Sequence, residues 1–348
     1  MPYEKGEKKK LKIVKLGDKK MKTMIKKRAA FFILLAVAAL MLPFSGATKS
    51  VYAKAKNAND IKELQKIISI QKQKGAKVSS NLGNKKQYKW DKKTGRLKAI
   101  NWKKKNLKGK INFNSFKGLK YIDISKNSIK SIKIGKVKNL KELDCSYNKI
   151  SELNLKKHSK LYSLFCSHNR LTKLETDSSM QELSEIFCSN NKITSLRIEG
   201  LAMLETLSCS NNKMKELKLN ELGDIAIYCA HNELKSLDLS NVSVTLLNCS
   251  YNKFETLDFK NAGYVDCSFN NITKLEGNFV NLRTLRCNHN KLKSLEITQP
   301  CDYLEEVWCQ ENDITDINFS GIESIKNVVC DKKVNLNGLI KNAVVKRK

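Results

Sequence analysis

The chain has 348 residues, with 66 Lys and Arg against 34 Asp and Glu, a formal net charge of +32. A hydrophobic content of 41% is ample for a core and excludes a wholly disordered chain. Three prolines exclude collagen-like and proline-rich chains, and eleven cysteines are too sparse for a disulfide-stapled miniature fold. The charge is unevenly placed. Residues 1–55 carry 14 basic and 3 acidic side chains, residues 56–118 carry 19 and 3, and residues 119–348 carry 33 and 28. Between Lys293 and Lys326 there is no Lys or Arg, while Glu296, Asp302, Glu305, Glu306, Glu311, Asp313, Asp316 and Glu323 all fall there.

Residues 29–44 form an uncharged apolar run of sixteen, preceded by Lys26, Lys27 and Arg28 and followed by small residues at 45–47 and 53–55. A cationic stretch, a short apolar run and a small-x-small site describe a secretory signal peptide. The run is shorter than the roughly 20 residues that span a bilayer comfortably. Residues 1–55 are therefore read as a cationic lead-in and signal peptide, and no stable membrane span is expected after cleavage. Retention as a signal anchor is the alternative. The mature chain is expected outside the cell, secreted or held at the surface.

Residues 56–96 read as a basic N-terminal cap. Asp60, with Glu63 three residues later, has the character of a capping box, Ile61, Leu64, Ile67, Ile68 and Gln71 recur at helical spacing, and Gly75 supplies a stop. Tyr88–Trp90 and residues 96–102 flank Asp91-Lys-Lys-Thr-Gly95, a hairpin signal.

Residues 97–335 repeat. Leu140-Lys-Glu-Leu143-Asp-Cys145-Ser-Tyr-Asn148-Lys-Ile150 sets a template with apolar residues at positions 1, 4, 6 and 11 and asparagine at position 9. The asparagines are Asn127, Asn148, Asn169, Asn191, Asn212, Asn232, Asn252, Asn270, Asn290 and Asn312, a mean period of about 20.6 residues. Position 6 is Cys145, Cys166, Cys188, Cys209, Cys229, Cys249, Cys267, Cys287, Cys309 and Cys330. Divergent copies lie at each end, Leu97-x-x-Ile100-x-Trp102 and Ile325-x-x-Val328-x-Cys330, the last with Lys333 where asparagine is due. About twelve coils follow from this count.

Alternation at positions 4 to 6 is the pattern of a half-buried strand, and stacking at a fixed period joins these strands into one parallel sheet. The asparagine amide both donates and accepts, so it suits the bend that leaves the strand. So few residues remain for the return path that a helix does not fit, and a thin, extended outer wall is expected. The cysteines lack the short spacing of a metal site. In-register parallel strands aim both Cβ vectors the same way, against the roughly 90° torsion of a disulfide, so the ladder reads as buried thiols. Cys301, beside Pro300, lies off the ladder and is the one candidate for a reactive thiol. Residues 336–348 read as a basic C-terminal tail.

These repeats resemble bacterial secreted leucine-rich repeat proteins, and the cysteine at position 6 is similar to the short-repeat, cysteine-ladder, internalin J-like branch. The resemblance implies a β-rich solenoid with a parallel concave β-sheet, a non-helical convex side and a helical and hairpin cap, exported, and recognising a protein partner through its concave sheet. Internalin-type proteins usually carry a wall-sorting motif and further modules. None is evident here, so covalent anchoring is not expected. In the family's geometry positions 3, 5, 7 and 8 face outward on that sheet. The candidate partner-binding residues are then Tyr121, Phe165, Phe187, Tyr228, Leu246, Tyr264, Arg286 and Trp308, since Tyr and Trp outward on a strand surface favour contact. Position 8 adds His168, His231 and His289, too far apart to share a metal, with Tyr147, Tyr251 and Phe269; ordinary cross-strand stacking is the alternative reading of the aromatics.

No nucleophile elbow, zinc-protease motif, phosphate loop or paired carboxylates appear, and no cofactor is implied. The leading reading is an exported, non-catalytic recognition scaffold. The alternative is a binder of cell-wall or other anionic glycan working through the basic cap. Nucleic acid is not expected, because the leader exports the chain and no binding motif is present.

Overall fold

The computed structural model describes residues 55–297 and 300–348. The lead-in and signal peptide expected over residues 1–55 fall outside these, apart from Ala55. Among the described residues no helix is long and apolar enough to cross a membrane.

One fourteen-stranded sheet runs the length of the described chain. Its rungs are mostly three residues long, such as Glu142–Asp144, Ser163–Phe165 and Glu185–Phe187, and they pair parallel and in register, Leu143 to Leu164 to Ile186 to Leu207. Alternation fixes that register. A slip of one residue would turn every inward side chain outward. Positions 4 and 6 are buried in all coils, with Leu143, Cys145, Leu164, Cys166, Ile186 and Cys188 wholly excluded from solvent. Burying each such Leu or Ile is worth about 1.5–3 kcal/mol, and none could be buried by one coil alone. All eleven cysteines are buried, and none is joined in a disulfide. Burial pushes the Cys188 and Cys229 thiols up to about 12, so the ladder packs as small apolar side chains.

The outer wall is extended, as the short period requires. Lys108–Asn112 pairs with Ser128–Lys133, Ser195–Glu199 with Glu216–Asn220, Thr256–Asp258 with Lys274–Glu276, and Asp316–Asn318 with Asn335–Asn337. His158 is buried against this wall, its Nδ1 2.8 Å from the Leu155 carbonyl and its Nε2 3.1 Å from that of Ile134.

The asparagines join one coil to the next. Asn148 Nδ2 donates to the carbonyls of Cys145, Ser146 and, one coil back, Ile124, while its Oδ1 accepts from Ile129 N at 2.9 Å. Asn169, Asn191, Asn212, Asn232, Asn252, Asn270, Asn290 and Asn312 repeat the link to the preceding coil. Asn127 accepts from both Lys105 N and Leu107 N. The residue before each asparagine, from Lys126 to Glu311, is left-handed with φ between +55° and +61°. L residues adopt that conformation at a cost, which the asparagine bonds on its C-terminal side offset. At the last coil the Asp331 side chain accepts from Glu311 N at 3.0 Å and Asn312 N at 3.3 Å, amides whose equivalents His289 N and Asn290 N donate to backbone carbonyls of the next coil.

The cap contains the helix α1 (Ala58–Gln73) and the strand Tyr88–Trp90. The helix starts three positions earlier than the capping-box expectation. Asn57 is the cap, its side chain accepting from Asp60 N at 3.1 Å. Asp60 instead lies inside the first turn, wholly buried, where its carboxylate accepts from Leu97 N at 2.9 Å and from Arg96 Nη1 at 3.4 Å. A carboxylate there meets the positive end of the helix dipole and two donors from the first rung, which outweighs a capping role that Asn57 fills equally well. At the other end Gln71 exchanges two hydrogen bonds with the backbone of Lys108, and Gly75 turns the chain at φ +83°.

Tyr88–Trp90 runs antiparallel to Leu97–Asn101, and Asp91 Oδ1 gathers Lys93 N, Thr94 N and Thr94 Oγ1 in the connecting loop. Leu97–Asn101 is also the first parallel rung, against Tyr121–Asp123. Trp102 stands in the cysteine position and, with Tyr88, Phe113 and Phe116, fills the open end of the core. Pairing also continues into the segment read as a tail, where Val344–Arg347 adds a parallel strand to Asn327–Cys330. Arg347 Nη1 donates to the carbonyls of Val334 and Lys332, at 2.7 and 3.1 Å.

Candidate partner-binding face

Register places the fifth template residues in one row across the concave sheet: Asp123, Asp144, Phe165, Phe187, Ser208, Tyr228, Asn248, Asp266, Arg286 and Trp308. Beside it runs the third-position row, which includes Tyr121, Glu142, Leu246 and Tyr264. All eight candidate residues, Tyr121, Phe165, Phe187, Tyr228, Leu246, Tyr264, Arg286 and Trp308, are half-buried. They belong neither to the core nor to open solvent.

The structure gathers them into groups rather than one continuous strip. Phe165 and Phe187 stack with centroids 5.1 Å apart and planes 14° from parallel. Farther along, the Arg286 guanidinium lies between two rings, 5.7 Å from Tyr264 and 5.0 Å from Trp308, with Leu246 in register beside Tyr264. Tyr121 stands apart at the first rungs, and Tyr228 sits between Ser208 and Asn248. Stacked aromatic pairs gain about 0.5–1.5 kcal/mol beyond burial, and an arginine over a ring gains a comparable amount.

The two halves of the face differ in charge. Asp123 and Asp144 are directly opposite across adjacent rungs, with Glu142 alongside. Each aspartate turns one oxygen to the serine two residues on, Asp123 to Ser125 and Asp144 to Ser146. Burial, reinforced by neighbouring carboxylates, holds the Glu142 and Asp144 carboxyls above the usual range. Lys103 Nζ, 3.8 Å from Asp123, is the near cation. In the other half burial pushes Tyr264 up to about 12 and raises Asp266 against the pull of Ser268 and Arg286.

The position-8 residues form a second column. The rings of His231, Tyr251, Phe269 and His289 form one continuous stack, with successive centroids 4.2, 4.2 and 4.1 Å apart. Tyr147 and His168 form a shorter one at 4.0 Å. The signal is an aromatic ring at position 8 in four consecutive coils, where parallel register forces face-to-face stacking. Burial lowers His168 and His231 below the usual imidazole value. Among the described residues no three His, Cys, Asp or Glu side chains are grouped to hold a metal ion. Cys301, the candidate reactive thiol, is 1% exposed, which withdraws it from reagents and partners.

No protein-family model matches the chain, and no curated protein matches it in sequence. Solved structures match it in fold. The functional domain of InlJ from Listeria monocytogenes, which includes a cysteine ladder, is 25% identical at a TM-score of 0.57, the match covering 70% of this chain and 54% of that one. The APL1 leucine-rich repeat domain is 20% identical at a TM-score of 0.57, covering 68% and 75%. The ectodomain of the plant membrane receptor kinase GASSHO1/SCHENGEN3 from Arabidopsis thaliana, solved in complex with CASPARIAN STRIP INTEGRITY FACTOR 2, is 17% identical at a TM-score of 0.58, covering 81% and 41%. This chain thus spans about half the length of the InlJ domain it matches. With its in-register rungs and its row of buried thiols, it is a leucine-rich repeat solenoid of the cysteine-ladder type, similar to that domain.

Proposed function

We propose that the chain is an exported, non-catalytic recognition scaffold that binds a protein partner through the aromatic residues of its concave face. The observation that carries this reading is the outward placing of Phe165, Phe187, Tyr264, Arg286 and Trp308 on a rigid sheet, where residues of these types make the strongest contacts in protein interfaces. The likeness to the GASSHO1/SCHENGEN3 ectodomain, which was solved with a bound factor, supports the use of such a solenoid for recognition. Export rests on the leader read over residues 1–55. The test is partner capture from the producing cell's surroundings by the intact chain and by the Phe165→Ala, Phe187→Ala, Trp308→Ala triple variant. Loss of a defined band in the variant, with an unchanged far-UV spectrum, supports the proposal. Equal capture by both refutes it.

A second reading, binding of an anionic wall polymer, is favoured by the cap, where Lys62, Lys66, Lys85, Lys86, Lys92 and Lys93 are exposed. Retention on purified cell walls should then fall steeply between low and physiological salt. Retention that ignores salt argues against it.

A further inference from the structure

Three polar atoms on neighbouring rungs of the concave face have neither solvent nor a hydrogen-bond partner: Arg286 Nε, Trp308 Nε1 and Gln310 Oε1. Gln310, the seventh-position residue of its coil, is 1% exposed. In several other coils that place is held by a serine whose hydroxyl is engaged, as Ser146 is with Asp144 and Ser268 with Asp266, and Ala230 and Asn288 hold it in two more. This coil therefore departs from the repeat by replacing a satisfied group with an unsatisfied one. Unpaired buried polar groups are rare and costly, and each calls for a partner.

Arg286 acts on its neighbouring carboxylate without forming an ion pair at contact distance. Asp266, in register beside it, directs its Oδ1 to Ser268 N and Oγ, and among the described residues no carboxylate forms an ion pair with Arg286. The set thus comprises two N–H donors, one of them cationic, and one carbonyl acceptor, all beside an aromatic wall. A simple anion satisfies the donors and leaves Gln310 unpaired. The last residue of a peptide offers both kinds of group, a carboxylate and, one carbon away, a backbone N–H.

We infer that Arg286, Trp308 and Gln310 anchor the C-terminal carboxylate of an extended peptide on the concave face. The carboxylate accepts from Arg286 and Trp308, and the terminal backbone N–H donates to Gln310 Oε1. In the free protein the Arg286 guanidinium lies against the rings of Tyr264 and Trp308, so the peptide enters by displacing at least one of these side chains. The inference rests on the concave-face reading proposed above, which it narrows to one type of ligand.

The test uses the 348-residue chain and an array of random decapeptides, each made with a free and with an amidated C-terminus. Free-acid members are expected to be held at least about tenfold more tightly than their amides, the effect of one charge-assisted hydrogen bond. Arg286→Gln should abolish the difference, whereas Phe165→Ala should weaken both forms alike. Equal retention of acids and amides that is lost in Phe165→Ala overturns this inference while leaving the concave-face reading standing. Retention of neither form also overturns it. The acid-to-amide ratio on the unaltered chain decides the matter even if Arg286→Gln fails to fold.

Discussion

Replacing Asn252 with alanine isolates what one asparagine contributes. Its Nδ2 donates to Cys229 O at 3.1 Å, Cys249 O at 3.0 Å and Ser250 O at 3.2 Å, and its Oδ1 accepts from Leu234 N at 3.0 Å. The losses are not equal. Cys229 O keeps its bond from Asn232, and Cys249 O keeps its bond from Asn270. Leu234 N, on a residue with no exposed surface, loses the acceptor that held it. An orphaned buried N–H costs about 1–3 kcal/mol, and losing redundant donors adds about 1 kcal/mol more, so about 2–4 kcal/mol is expected. Urea unfolding measures the total. Amide hydrogen exchange locates it, with Leu234 predicted to lose protection while amides several coils away keep theirs. A cost below about 0.5 kcal/mol, or unchanged exchange at Leu234, would refute the reasoning that the amide is the sole satisfier of that group.

Other consequences follow from single contacts. Asp60→Ala removes a buried carboxylate from Leu97 N and Arg96 and should destabilise by about 2–3 kcal/mol in thermal unfolding, whereas Asn57→Ala should cost about 1 kcal/mol. Iodoacetamide at pH 8 should leave the ladder cysteines unmodified in the native chain and label them after urea unfolding, as mass spectrometry would show. Asp144→Asn should stabilise the chain at pH 7 by about 0.2–1 kcal/mol by removing like charges facing Asp123; Asn248 already makes the same pair of contacts to Ser250. Because Glu142 and Asp144 are raised in the folded state, that state binds their protons more readily than the unfolded one. Their contribution to stability should therefore rise as pH falls from neutral through the raised values to the ordinary carboxylate range, and Asp144→Asn should flatten that slope.

The periodic part of the molecule was legible because each inward position is chosen by one requirement repeated in every coil. Leucine, isoleucine or valine at position 4, cysteine at 6 and asparagine at 9 answer the same packing and hydrogen-bonding demand ten times over, and the short interval between them excludes a helical outer wall. Legibility ended where the demand is unique. Asp60 looks like a helix cap in isolation, and only the backbone N–H of Leu97, thirty-seven residues away, gives it another task. Val344–Arg347 carries no trace of the template, yet an open sheet edge at Asn327–Cys330 is enough to pair with it. On the concave face, outwardness could be read from alternation. Which side chains touch could not, since the stacking of Phe165 on Phe187 depends on rotamers rather than residue type.

The asparagine bonds reach only within a coil and to the coil before it. Asn169 contacts Cys166 and Ser167 in its own coil, and Cys145 and Ile150 in the preceding one. A gene duplication or excision that adds or removes one complete period therefore rejoins equivalent atoms on both sides of the seam. Such a molecule lengthens or shortens in whole steps, and each step changes how much surface it presents without redesigning the joints.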